Sequence, residues 1–272
     1  MSLLKIEWLK LKNYKPFYVL SAFFVLGVFA SNYISFKIVN AVKKEEVGKV
    51  VLNSFKPFHF EHVWQTVSYI SSYVLIIPVL LIILSATNEF SFKTHRQNII
   101  DGWSREQFIS VKLQMILLMA LACTLVVISS GFLFGSLSDG SFSLTHFEGV
   151  GFFFLKALSY FMVALLFAVL IKKNFAVGLF FVYMYFENFL SQILDFVSAY
   201  LKNKQRLDLG SLGDYLPMNA SDALLTFPQN PMEGTSANLL PSSYPVITGI
   251  MAGFYLLLIT AWVVRIVVKS DL

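Results

Sequence analysis

Six separate stretches of this sequence run for at least 22 residues with almost no charge, and that pattern limits the fold before any other feature does. A helix needs about 20 mostly apolar residues to cross the hydrocarbon core of a bilayer. The stretches are Phe17–Ile38, Val63–Thr87, Leu113–Gly135, Val150–Ile171, Phe175–Val197 and Val246–Val268. In lipid the backbone must satisfy its own hydrogen bonds, so each is expected to be a helix. Composition argues against a soluble alternative. Hydrophobic residues fill 57% of the 272 positions and charged residues 14%, against roughly 45–50% and about 25% in soluble domains. One soluble core of this length cannot hide that excess. The expectation is an all-α polytopic membrane protein with six transmembrane helices, forming one transmembrane domain over residues 1–272.

A single Cys (Cys123) and the lack of any low-complexity tract exclude a disulfide scaffold and a disordered chain. The net charge of +5 is spread thinly along the sequence. Positive-inside topology accounts for it better than a nucleic-acid-binding face. Near the amino terminus, Val28-Phe29-Ala30 resembles a signal-peptide cleavage site. The apolar run continues through Tyr33, Ile34 and Phe36, so an uncleaved anchor is expected. With the amino terminus cytoplasmic, 12 basic residues lie inside and 8 outside, with Lys156 left within a span. The short Lys172-Lys173 turn and the base-free loop 136–149 sharpen the bias, which places both termini inside the cell.

Three segments outside the spans carry further signals. Residues 1–15 read as an interfacial helix, with Leu4, Trp8 and Leu11 on one stripe beside Lys5 and Lys12, or as a plain extension of the first span. In the loop 88–112, Thr94 with Gln97 and Ser104 with Gln107 are two capping boxes, separated by Gly102. They predict a two-turn helix over 94–101 and a second helix leading into the third span. The apolar residues Ile99, Ile100 and Trp103 suit a docking element for another protein, or an edge that dips into the lipid interface. The outer loop 198–245 is too long for a passive turn. Ser221-Asp222 there predicts a small helix over 223–227, stopped by Pro228 and Pro231.

Motifs for catalysis are missing. There is no GxxxxGK[ST] phosphate loop, Gly48-Lys49 lacking the rest of it, and no GxSxG or HExxH. Glu45-Glu46 lacks the Arg that paired intramembrane-protease glutamates want. His59 and His62 beside Glu61 form a weak metal pair, and Cys123 reads as inert packing. Within the spans, Gly131/Gly135 and Gly249/Gly253 are two GxxxG pairs, serving either packing within the chain or a dimer seam. Pro78 is expected to kink the second span. Lys156 and Glu187 lie at similar depths in adjacent spans, and Glu187, Ser191 and Asp195 form one stripe at i, i+4, i+8. A charge at mid-bilayer costs about 2.5–3.5 kcal/mol, so such residues face the bundle or a water-filled path. Three readings stand: a pair that ties spans four and five, an early end to span five that leaves Glu187 interfacial, or the lining of a transport path or its outer gate.

The succession Glu89, Thr94, Ile99-Ile100, Ser104-Arg105 and Lys112 resembles the cytoplasmic coupling loop of permeases from type-2 ATP-binding-cassette (ABC) exporters. Tyr215-Leu216-Pro217 is similar to their Leu-Pro element before the last span, while Lys93 stands where the family usually shows Gly. The resemblance implies a permease subunit of the cytoplasmic (inner) membrane that moves substrate using ATP hydrolysed by a separate chain. Its partners would be cytoplasmic ABC ATPase subunits, a second permease copy or homologous permease, and the lipid bilayer, with no nucleic acid. ATP and Mg would bind the ATPase, leaving no cofactor in this chain. Glu89, Thr94, Ile99, Ile100, Trp103 and Arg105 would form the coupling contact. Scaffold and membrane-embedded enzyme are the competing classes, the first needing no polar path and the second needing convergent polar residues.

The charge bias makes a direct prediction. Single cysteines at Ser141 and Asn98, probed on intact cells with an impermeant thiol reagent, should label from outside and not label, respectively. Labelling of both from outside would overturn the topology.

Overall fold

The computed structural model describes residues 3–42, 56–92, 94, 97, 100, 102–138, 141–205, 207–228 and 244–269. It is all-α, with no strand among the described residues, and six helices are long and apolar enough to cross a membrane. A short α1 (Leu3–Lys12) precedes α2 (Lys15–Val42), the first span. The second span is α3 (Val63–Ser72) and α4 (Ile76–Ser91), joined through a 3-10 turn at Tyr73–Leu75. Then come α5 (Arg105–Ser136), α6 (Glu148–Ile171), α7 (Ala176–Gln205), the small α8 (Asn219–Asp222) and α9 (Pro245–Lys269). Each expected span falls within one of these six segments to a few residues, and most helices run beyond their apolar stretch.

Several boundaries have a local cause. Pro78 lacks an N–H for the carbonyl of Val74, and its ring crowds that carbonyl. The α-helical ladder accordingly gives way to the 3-10 turn over Tyr73–Leu75, immediately before α4 begins. At α5 the expected capping box is complete. Ser104 Oγ accepts from the Gln107 N–H at 3.1 Å, and Gln107 Oε1 accepts from the Ser104 N–H at 3.0 Å. Gly102 has φ +99°, the left-handed conformation expected of a helix-ending glycine. The outer loop starts later than residue 198, because α7 continues to Gln205. A helix satisfies its own backbone in water as in lipid. Lys204 also donates to Tyr200 at 2.7 Å along the extension, and Lys202 pairs with Asp208 at 3.1 Å.

Span four is the hub. α6 packs against α3, α4, α5, α7 and α9, and 67% of its apolar window is buried. Span five is the opposite case, with 11% buried. It turns Phe186, Phe189 and Phe196 outward. The two ends of the bundle differ. One carries the start of α1, the end of α9 and the α4–α5 and α6–α7 connections, and we call it the terminal end; the other is the distal end. At the distal end a cluster of aromatic rings closes the bundle around Trp64, whose indole N–H donates to Ser143 O at 2.8 Å.

That cluster explains one glycine pair. A Cβ on Gly131 would meet the Trp64 ring at 2.8 Å, and one on Gly135 would meet the Phe60 ring at 2.6 Å. The pair therefore seats aromatic rings within the chain. The second pair is open: Gly249 has only Leu224 nearby, at 3.8 Å, and Gly253 has nothing within 4 Å. Gly131→Val should lower thermal stability in detergent by about 1–3 kcal/mol, the usual overpacking penalty. Gly253→Val should leave the unfolding midpoint unchanged, and equal losses in both variants would refute this assignment.

Candidate functional site

At the terminal end four charged groups from three helices meet. Lys112, near the start of α5, reaches Glu7 of α1 and Glu89 at the end of α4, both at 2.5 Å. Lys10 adds a 2.7 Å bond to Glu7. Glu7 is 3% exposed. Burial pushes its carboxyl upward, but the charges and hydrogen bonds of Lys112 and Lys10 outweigh this and hold it below the usual range. The same end is tied by Asn88 Nδ2 donating to Tyr14 Oη at 2.9 Å and Thr87 Oγ1 donating to Asn174 Oδ1 at 3.0 Å. Arg105 Nη1 donates to the Val268 carbonyl at 3.0 Å, closing the end of α9 onto the start of α5.

This geometry sorts the expected coupling residues. Glu89 is drawn inward by Lys112 and closes the base of the loop. Trp103 is half-buried against the core, with the Lys10 ammonium 5.9 Å from its ring. Arg105 faces the α9 end. Thr94 is exposed and already helical, and its hydroxyl donates to Glu89 O at 3.3 Å, so it does not cap the helix as expected. Ile100 is helical and 83% exposed. Ile99 lies outside the described residues. On α1 the structure adds a second face, beside the expected interfacial stripe. Trp8 is 48% exposed, and the face turned to the bundle runs through Glu7. The sequence signal that marks it is Leu3, Glu7 and Leu11 at i, i+4, i+8, with the only acid among the four lysines of residues 1–15.

The distal half holds a second polar network. Lys156 is 6% exposed and lies about 12 Å along α6 from its distal start. It does not pair with Glu187, as its depth suggested. Its ammonium meets Asp222 of α8 at 3.1 Å and donates to Ser72 Oγ at 3.1 Å, with the Tyr73 and Tyr160 rings at 5.8 and 5.3 Å. Tyr160 donates to the other Asp222 oxygen at 2.7 Å. Glu187 instead accepts the backbone N–H groups of Met218 and Asn219, at 2.5 and 2.9 Å. A carboxylate at a helix start satisfies donors that have no partner within the helix. Here it fixes a helix at Asn219–Asp222 in place of the expected one over 223–227, which is not helical, while Asp222, the expected cap, is taken by Lys156.

The rest of the stripe does similar work. Asp195 Oδ1 accepts from Ser211 Oγ at 2.5 Å and from the Gly213 N–H at 3.0 Å. A Cβ on Gly213 would overlap Ser191 Oγ, so only glycine lets the loop backbone lie against α7 there. Burial, then the Asp195 charge, push the nearby Asp214 carboxyl up to about 6. Glu187 is about 16 Å from the terminal start of α7, near the middle of a hydrocarbon core about 30 Å thick. The segment 211–222 therefore folds back into the distal half of the bundle. Nonhelical backbone is tolerated at that depth only where protein covers it, and Met218, Ala220 and Ser221 are all buried. Glu187, Ser191 and Asp195 thus form the seat of a re-entrant segment.

The remaining expected groups stay apart from both networks. His62 stacks on His146 at 5.6 Å, and His146 Nδ1 lies 2.9 Å from Glu148. Burial, then the His146 charge, hold the His62 imidazole below its usual range. Among the described residues no group of three His, Cys, Asp or Glu is placed to hold a metal ion. Cys123 is buried. Glu45 and Glu46 lie outside the described residues.

Fold and sites together define an all-α, multi-pass membrane protein. No model of a known protein family matches the sequence, and no functionally characterised protein matches it.

The distal network predicts an asymmetry. Asp222→Ala leaves Lys156 as a buried, unpaired cation and should cost about 3 kcal/mol of stability. Lys156→Met should cost less, because the Asp222 side chain is 31% exposed and still bonded to Tyr160. Thermal unfolding of both variants in detergent decides it, and a larger loss for Lys156→Met would contradict the pairing.

Proposed function

We propose that this chain is the membrane-spanning permease subunit of an ABC exporter, with ATP and Mg bound and hydrolysed by separate cytoplasmic subunits. The observation that carries the reading is the connection between α4 and α5. It presents a large apolar side chain, Ile100, at 83% exposure, while its two flanks are locked together by Glu89 and Lys112. A knob on a loop with a rigid base passes displacement into both attached spans. A loose loop would absorb it. The apolar faces of α7 and the open glycines of α9 suit a second permease copy, whether identical or homologous. On this reading the terminal end is cytoplasmic, and the segment 211–222 closes the outer end of the substrate path from its seat on Glu187, Ser191 and Asp195.

The test is a native pull-down from the source membrane, asking whether an ATPase with a phosphate loop co-purifies. Ile100→Asp should weaken that association by about 2 kcal/mol, roughly thirtyfold, as expected for a central contact residue. Membrane level should hold, since Ile100 supports nothing inside the bundle. An ATPase retained at wild-type affinity would remove the coupling assignment and favour contact of Ile100 with the lipid interface.

A further inference from the structure

Between α1, α4 and α5 the terminal end holds a cavity of about 270 Å³. Its lining changes character with depth. The deep wall is formed by Leu81, Ile116 and Leu165, all buried, with Met119 beside them. The mouth carries Lys10 and Thr94, which are half-buried and exposed. Polarity that falls from the interface toward the bundle core is the profile of a membrane lipid. A free anion would gain nothing from the apolar floor, and a purely apolar molecule would gain nothing from the charged mouth.

The charge around the mouth selects the headgroup. Residues 1–15 contain Lys5, Lys10, Lys12 and Lys15 against the single acid Glu7. Lys5, Lys12 and Lys15 are exposed, and Glu7 is already bound by Lys10 and Lys112. The surface beside the cavity is therefore basic, and such segments attract anionic lipids. Trp8, exposed on the same short helix, suits headgroup depth. We infer that this cavity binds one acyl chain of an anionic phospholipid from the leaflet in which α1 lies, with the lipid phosphate at Lys10. The bound chain would lie directly beneath the Glu7–Lys112–Glu89 cluster. The site stands on its own residues and does not depend on the transport reading.

Native mass spectrometry of the full chain in detergent, with phosphatidylglycerol or phosphatidylcholine added, tests the site. The wild-type chain should retain one phosphatidylglycerol in preference to phosphatidylcholine. Lys10→Gln should weaken phosphatidylglycerol retention about fivefold, the equivalent of about 1 kcal/mol for one basic residue at a membrane surface. Met119→Trp, which fills the cavity, should abolish retention. Ser85→Leu narrows the same cavity with a smaller side chain and should act likewise if the Trp variant fails to fold. Inorganic phosphate should not displace the lipid. Equal retention of both lipids by the wild-type and filled chains would indicate general boundary lipid and overturn the proposal. Displacement by inorganic phosphate would show a headgroup site without an acyl chain and overturn it equally, as would failure of the wild-type chain to retain phosphatidylglycerol.

Discussion

A single ammonium group governs the distal half of this protein. Lys156 sits on the helix that packs against six other helical segments, and it is buried there; a buried cation is tolerated only with partners. Span two supplies a hydroxyl from Ser72 and two tyrosine rings lie nearby, but none of these carries a formal negative charge. Asp222 does. Its position in the connection between α7 and α9 obliges that connection to turn back into the bundle. Once it does, its backbone donors need acceptors at membrane depth, and α7 provides them through Glu187 and Asp195. The polar stripe of span five is thus a consequence of the charge on span four. Each polar group answers the cost created by another.

The terminal end applies the same logic with a different result. There the charges lie near the interface, where they form a junction between elements distant in sequence. Lys112 joins α1 to the exit of span two and the entry of span three, and Arg105 adds the end of span six. The amphipathic amino-terminal helix is therefore fixed to the bundle on one face and left open on the other, where Trp8 is exposed. Fixing a helix through a buried carboxylate is directional in a way that apolar contact is not. Glu7 can satisfy Lys112 in only one register, so α1 has a defined rotation about its axis.

The spans were fully legible because length and hydropathy are local properties, and the membrane imposes helix on any apolar run of sufficient length. The cap at Ser104 and the glycine at Gly102 were legible for the same reason, each depending on residues within one turn. Partners across the sequence were not. Lys156 and Glu187 share depth and lie on consecutive spans, which made them the natural pair from sequence. The real partner, Asp222, lies in a loop whose return into the bundle depends on contacts that no local pattern encodes. Asp222 also matched a helix-start signal, and its tertiary role displaced that local one. Glu7 was obscured in the same way. A single acid among lysines reads as solvated until Lys112, 105 positions later, is placed beside it.

Span two is the element that touches both networks. Its terminal end carries Glu89 in the junction with Lys112, and Ser72, in its distal half, accepts from Lys156. Between them lies the break in the helical ladder that precedes Pro78. An unbroken helix would transmit a tilt of one end directly to the other. A helix interrupted at one turn has a weaker point there, because the carbonyl of Val74 cannot be restored to the ladder while Pro78 follows four residues later. The networks on either side are each anchored to neighbouring helices. The sequence therefore places the interruption at Tyr73–Leu75, directly beside the contacts that Ser72 and Tyr73 make with Lys156.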